Sequence, residues 1–103
     1  TAGALVGRFG KRPRYWSQRL LDEGPVHIIA SDAHSPNRRP PLMAEARVAA
    51  ARQVGDTEAW ALVRDRPAGV LKNWRPERLA PALNSVVTKP SAVNFVRRWL
   101  SRR

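Results

Sequence analysis

The sequence predicts an α/β fold of one domain at most, ordered helix, strand, helix, helix and followed by a basic helical tail. Three observations predict it. One short β-branched run, Val26-His27-Ile28-Ile29-Ala30-Ser31, is bounded by chain breakers as a buried strand is. The segments on either side of it repeat apolar residues at helical spacing. Gly and Pro fall at the joints, where they end elements rather than interrupt them.

Each element then follows in turn. A first helix is predicted over 12–23, where Tyr15/Trp16 and Leu20/Leu21 recur, Pro13 is tolerable only in a first turn, and Gly24-Pro25 stops the pattern. The strand comes next. Residues 33–41, built from Ser, Pro, Asn and Arg, read as a loop, and Pro40-Pro41 sets up a helix from about 42 to Val54 that Gly55 ends. Asp56 is the expected N-cap of a third helix over 57–65, in which Ala59, Leu62 and Val63 share a face. Asp65 and Pro67 open a short fourth turn that runs through Val70 and Leu71 to Asn73. Trp16 and Trp60 fall where an apolar face needs them. A lone strand has no partner for its hydrogen bonds, so residues 1–73 read as part of a larger sheet. The opening residue, Thr1 rather than Met, suits the same expectation of a piece of something longer.

Residues 74–103 change character. They carry Arg75, Arg78, Lys89, Arg97, Arg98, Arg102 and Arg103 against one acid, Glu77, and are broken by Pro76, Pro81 and Pro90. Ser91 is placed to cap a final helix in which Val93, Val96 and Leu100 recur, with Phe95 and Trp99 beside them.

Composition removes several classes of function. A chain of 103 residues has room for a small core and little for a deep, enclosed site. Its 43% hydrophobic content is globular rather than disordered, despite a net charge of +11. The longest apolar run, Ala59 to Val63, is far short of the roughly 20 residues that cross a bilayer. The absence of Cys rules out disulfides and thiolate metal sites and suits a reducing cytoplasm, so any metal must be held by His and carboxylates.

The sharpest chemical feature is Ser31-Asp32-Ala33-His34, directly after the strand. Residues two apart on a strand face the same side, so Asp32 and His34 are aimed together at the carboxyl end of the strand, where α/β sites gather. A carboxylate and an imidazole suit a divalent zinc, manganese or iron ion. The same spacing also fits a plain turn in which Asp32 caps backbone and His34 is exposed. His27 alternates with this pair and is expected to pack against helices as a structural residue.

Three blocks resemble bacterial protein-tyrosine phosphatases of capsule and exopolysaccharide synthesis, members of the polymerase-and-histidinol-phosphatase (PHP) superfamily. They are Thr1-Ala2-Gly3 with Gly7-Arg8-Phe9-Gly10-Lys11, the strand with Asp32-Ala33-His34, and Arg39-Pro40-Pro41-Leu42-Met43-Ala44-Glu45-Ala46. The resemblance implies the C-terminal part of a PHP-type (β/α)7 barrel over 1–73, with the basic tail at 74–103. It implies that Asp32 and His34 are metal ligands in a cluster of divalent transition metal ions, manganese first, with zinc and iron also fitting. It makes Arg39 the arginine that holds the substrate phosphate, with Arg38 a weaker candidate; a guanidinium forks onto phosphate in a bidentate way. The implied substrate is a phosphotyrosine protein, a bacterial tyrosine kinase. Ala4 stands where the family has Ser. The family's His-x-His pair and its other Glu and His ligands would lie before Thr1, so this segment alone is expected to be inactive. Other readings are another PHP phosphoesterase such as a histidinol-phosphate phosphatase, a basic nucleic-acid binder, and attachment to a membrane surface through 91–103.

Overall fold

Small residues set how closely the helices approach in the computed structural model, which describes residues 1–84. The order is α1 (Ala2–Leu5), α2 (Lys11–Glu23), α3 (Met43–Val54), α4 (Asp56–Trp60), a wide helical turn (Ala61–Asp65), α5 (Arg66–Leu71) and a 3-10 turn (Pro76–Arg78). Ala2, Ala46, Ala50 and Ala59 are wholly buried, and together with Leu5, Leu21, Ile29 and Leu62 they form the core. With no bulk beyond Cβ, the alanines let α1 and α4 lie close on α3. The final helix expected from Ser91 onward falls outside the described residues.

The helix ends follow the punctuation of the sequence. α2 stops at Gly24. α3 stops at Gly55, whose φ of 89° is a conformation that a side chain would strain, and Ala59 N–H then bonds to the Gly55 carbonyl at 3.0 Å. Asp56 is therefore the first residue of α4 and not its cap; Gly55 holds that position. The carbonyls of α2's last turn are met from a distance, by Asn84, whose side-chain amide donates to Asp22 O at 2.9 Å and to Gly24 O at 3.2 Å. Gln53 of α3 donates to the Gln18 carbonyl of α2.

The expected break near residue 65 is instead a continuous helical run from Asp56 to Leu71, widened by one turn. Arg66 N–H bonds to the Ala61 carbonyl, five residues back, and Pro67 has no N–H to give. Both effects leave the Leu62 carbonyl without a helical donor, and Ile29 N–H fills it at 3.1 Å. Pro67 thus creates the acceptor that ties residues 25–31 to the helices.

That tie matters because 25–31 forms no ladder. Among the described residues no segment is paired as a strand, and a ladder needs two. Its backbone groups are satisfied singly: Ala30 O accepts Ala2 N–H at 2.9 Å, and His27 O accepts Arg66 Nη1–H at 3.2 Å. The His27 ring is exposed, in contrast to the packed residue expected, because alternation into a helical layer presumes a sheet behind it.

Trp16 and Trp60 also depart from expectation, being 53% and 38% exposed. Instead of filling the core they carry guanidinium groups: Arg19 lies over Trp16 at 5.6 Å, and Arg47 and Arg64 over Trp60 at 4.4 and 4.6 Å. Helices packed through alanine have no room for indoles at their contacts, so the rings cover the surface and screen the charge of their neighbours. Lys72 and Arg78 treat Trp74 in the same way, at 5.3 and 4.7 Å.

Candidate functional site

The loop 31–39 leaves the unpaired segment and turns at once. Asp32 has φ of 48°, a left-handed conformation that Asp adopts more readily than most residues but that still costs energy. The alternation expected to aim Asp32 and His34 together therefore ends at Asp32, and hydrogen bonds replace it. His34 Nδ1 lies 2.7 Å from the Asp32 carbonyl. A carbonyl only accepts, so in the neutral ring Nδ1 carries the proton and Nε2 keeps its lone pair.

Arg39 closes the loop from its other end. Its carbonyl accepts the N–H groups of His34 at 3.0 Å and Ser35 at 3.4 Å, while its guanidinium Nη2 meets Asp32 Oδ2 at 3.3 Å. Ser35 Oγ accepts the N–H groups of Arg38 at 3.1 Å and Arg39 at 3.0 Å. One hydroxyl thereby fixes the bend that returns Arg39 toward Asp32. The Arg38 side chain is exposed and its carbonyl, not its charge, takes part in the local structure.

Two residues far back in the chain grip this loop. Arg8 Nη2 reaches the Asn37 carbonyl at 3.3 Å and the Arg38 carbonyl at 3.4 Å. The Phe9 ring lies under the Arg39 guanidinium, 5.1 Å from centroid to Cζ. The sequence alone singles out neither Phe9 nor Ser35 for a role in this loop: its signal is an aromatic beside a basic residue in a glycine-rich turn, which has many meanings.

The three predicted site residues are thus joined in one hydrogen-bonded loop. It offers a carboxylate oxygen, an imidazole nitrogen and a cationic fork, and is chemically able to meet a cation and an oxyanion side by side. Asp32 and His34 are the whole donor set on hand: among the described residues no group of three His, Cys, Asp or Glu could hold a metal. The two donors fit a divalent ion in kind but do not by themselves complete its coordination sphere. No helix of the described residues is long and apolar enough to cross a membrane.

The loop thus follows an apolar segment, precedes a helix and sets a carboxylate, an imidazole and a guanidinium close together. The family of capsular polysaccharide synthesis proteins CpsB/CapC matches residues 1–72, and the chain belongs to that family. It is 41% identical over 66 residues to the tyrosine-protein phosphatase CpsB of Streptococcus agalactiae, a match covering 64% of this chain and 26% of the relative. It is 48% identical over 40 residues to the putative tyrosine-protein phosphatase CapC of Staphylococcus aureus, covering 39% of this chain and 16% of that one. It is 44% identical over 39 residues to the tyrosine-protein phosphatase YwqE of Bacillus subtilis, covering 38% and 15%. The chain therefore spans about a quarter or less of the curated relatives it matches. No solved structure matches.

Proposed function

We propose that this chain carries part of a metal-dependent protein-tyrosine phosphatase that regulates capsule or exopolysaccharide synthesis. In this reading residues 25–31 are one strand of a PHP-type (β/α)7 barrel, whose other strands supply the partners this segment lacks. The observation that carries the proposal is the closed loop that gathers Asp32, His34 and Arg39. The relatives' names, tyrosine-protein phosphatases, support the choice of reaction.

Each side chain has a defined task. Asp32 Oδ1, not engaged by Arg39, and His34 Nε2 would be the ligands for divalent transition metal ions, with manganese favoured and zinc or iron also suited to an oxygen and nitrogen set. When bound, such ions supply an activated water and neutralise phosphoryl oxygens. The Asp32 carbonyl fixes the tautomer of His34 and the direction of its lone pair. Arg39 holds the phosphate of the substrate, a phosphotyrosine protein such as a bacterial tyrosine kinase, in the cytoplasm. Two ligands do not close the coordination sphere of one ion, so turnover requires donors beyond this loop.

The test is Mn²⁺ added to the isotopically labelled chain. Selective paramagnetic broadening of Asp32 and His34 signals is expected, with loss of the effect in Asp32→Asn and in His34→Gln. Broadening that spares both residues, or that survives both substitutions, overturns the assignment.

A further inference from the structure

Resting on the reading of Arg39 as the phosphate contact, we propose that Phe9 is a positioning residue for that guanidinium, seated by Gly3 and assisted by Arg8. A guanidinium that must meet an anion needs its in-plane N–H groups free, yet its long side chain has to be held still. Stacking on an aromatic ring does this, because it uses the face of the group and leaves the edge.

Arg39 is held in that manner. Its Cζ lies 5.1 Å from the Phe9 centroid, and of its edge Nη2 is engaged by Asp32 Oδ2 at 3.3 Å. Nε is buried without a hydrogen-bond partner among the described residues. Packing, not hydrogen bonding, therefore grips the inner end of the group. The ring reaches this place because Gly3 has no Cβ: one there would lie 2.8 Å from Phe9 Cε2 and 3.0 Å from Cζ. Arg8, the preceding residue, holds the Asn37 and Arg38 carbonyls, so two consecutive residues act on one loop, on its backbone and on its terminal charge. Phe9 is 43% exposed, which a ring serving only the core would not be.

The experiment follows the Arg39 Nε–H signal of the full chain by NMR, reading its exchange with solvent and its response to inorganic phosphate. Phe9→Leu is expected to speed Nε–H exchange severalfold and to weaken the phosphate response roughly two- to fivefold. Phe9→Tyr restores both, which a mere change in packing stability would not produce. In an Arg39→Lys background, Phe9→Leu causes no further loss of phosphate response. Unchanged exchange in Phe9→Leu, failure of Phe9→Tyr to restore it, or an equal added loss in the Arg39→Lys background overturns the proposal. If Phe9→Leu does not fold, Gly3→Ala displaces the ring by its new Cβ and must shift the same signal; no shift overturns the proposal. If Arg39→Lys leaves the phosphate response intact while Phe9→Leu still speeds exchange, the phosphatase reading fails and the positioning role stands.

Discussion

Arg39 and Arg66 are the same residue type in opposite settings. Arg66 is 1% exposed, and each of its five N–H groups has an acceptor. Nε donates to Ala80 O at 2.9 Å. Nη1 donates to His27 O at 3.2 Å and Glu58 Oε1 at 2.8 Å, and Nη2 to Glu58 Oε2 at 3.0 Å and Pro81 O at 2.8 Å. It ties α4, the segment before the loop and the chain beyond the 3-10 turn to one point. Arg39 is half exposed, makes one charged contact and rests on a ring. A guanidinium whose donors are all taken can only be structural; one held by its face keeps donors for a ligand. The number of donors already engaged, more than burial or charge, separates the two roles.

The comparison can be broken most sharply at Arg66. Arg66→Met leaves the largely buried Glu58 carboxylate, 15% exposed, without its partner, and three carbonyls lose their donor, so unfolding free energy should fall by about 3–5 kcal/mol. Arg66→Lys should recover only a small part, since three donors on one nitrogen do not reach five separated acceptors. Urea denaturation followed by tryptophan fluorescence measures both, and a loss under about 1 kcal/mol for Arg66→Met would remove its structural role.

A smaller effect is expected where the same region is packed tightest. A Cβ at Gly69 would lie 2.3 Å from Leu79 Cδ2 and 3.0 Å from Trp74 Cε3. Gly69→Ala should therefore cost about 1–3 kcal/mol in the same assay, with a shift in Trp74 emission as the ring moves. An unchanged midpoint would show that Leu79 swings clear without cost.

Asp32→Asn should have a small effect on stability, because its ion pair with Arg39 is about half exposed: within about 1 kcal/mol of the parent chain. Asp32→Gly should be neutral or slightly stabilising, as glycine accepts φ of 48° freely, whereas Asp32→Val should destabilise. A loss as large for Asp32→Asn as for Arg66→Met would erase the distinction between the two arginines.

Much of the helical layout was legible because its signals are local. Gly24-Pro25 ends α2, Gly55 ends α3, and Ala59 and Leu62 turn inward together, all within a turn or two of the residues they act on. The motif Asp32-Ala33-His34 and the loop arginine were equally visible as residue types. The means of assembly was not: alternation along a strand was expected, and the left-handed Asp32, the Ser35 hydroxyl and the Phe9 ring do the work instead. Phe9 and Arg39 are separated by a whole helix and the extended segment, a distance over which spacing carries no information. Arg66 was hidden among 19 basic residues, since nothing local distinguishes a buried arginine from a solvated one.

The sequence by itself determined where helices begin and end and which chemical groups the loop owns, because capping, glycine and proline effects and side-chain chemistry act within a few residues. Only the tertiary structure decided which carbonyl Pro67 would leave open for Ile29, which of the arginines would be sealed inside, and which ring would lie under Arg39. Those outcomes depend on groups far apart in the chain competing for the same donors, acceptors and space, and that competition is settled only when the elements pack.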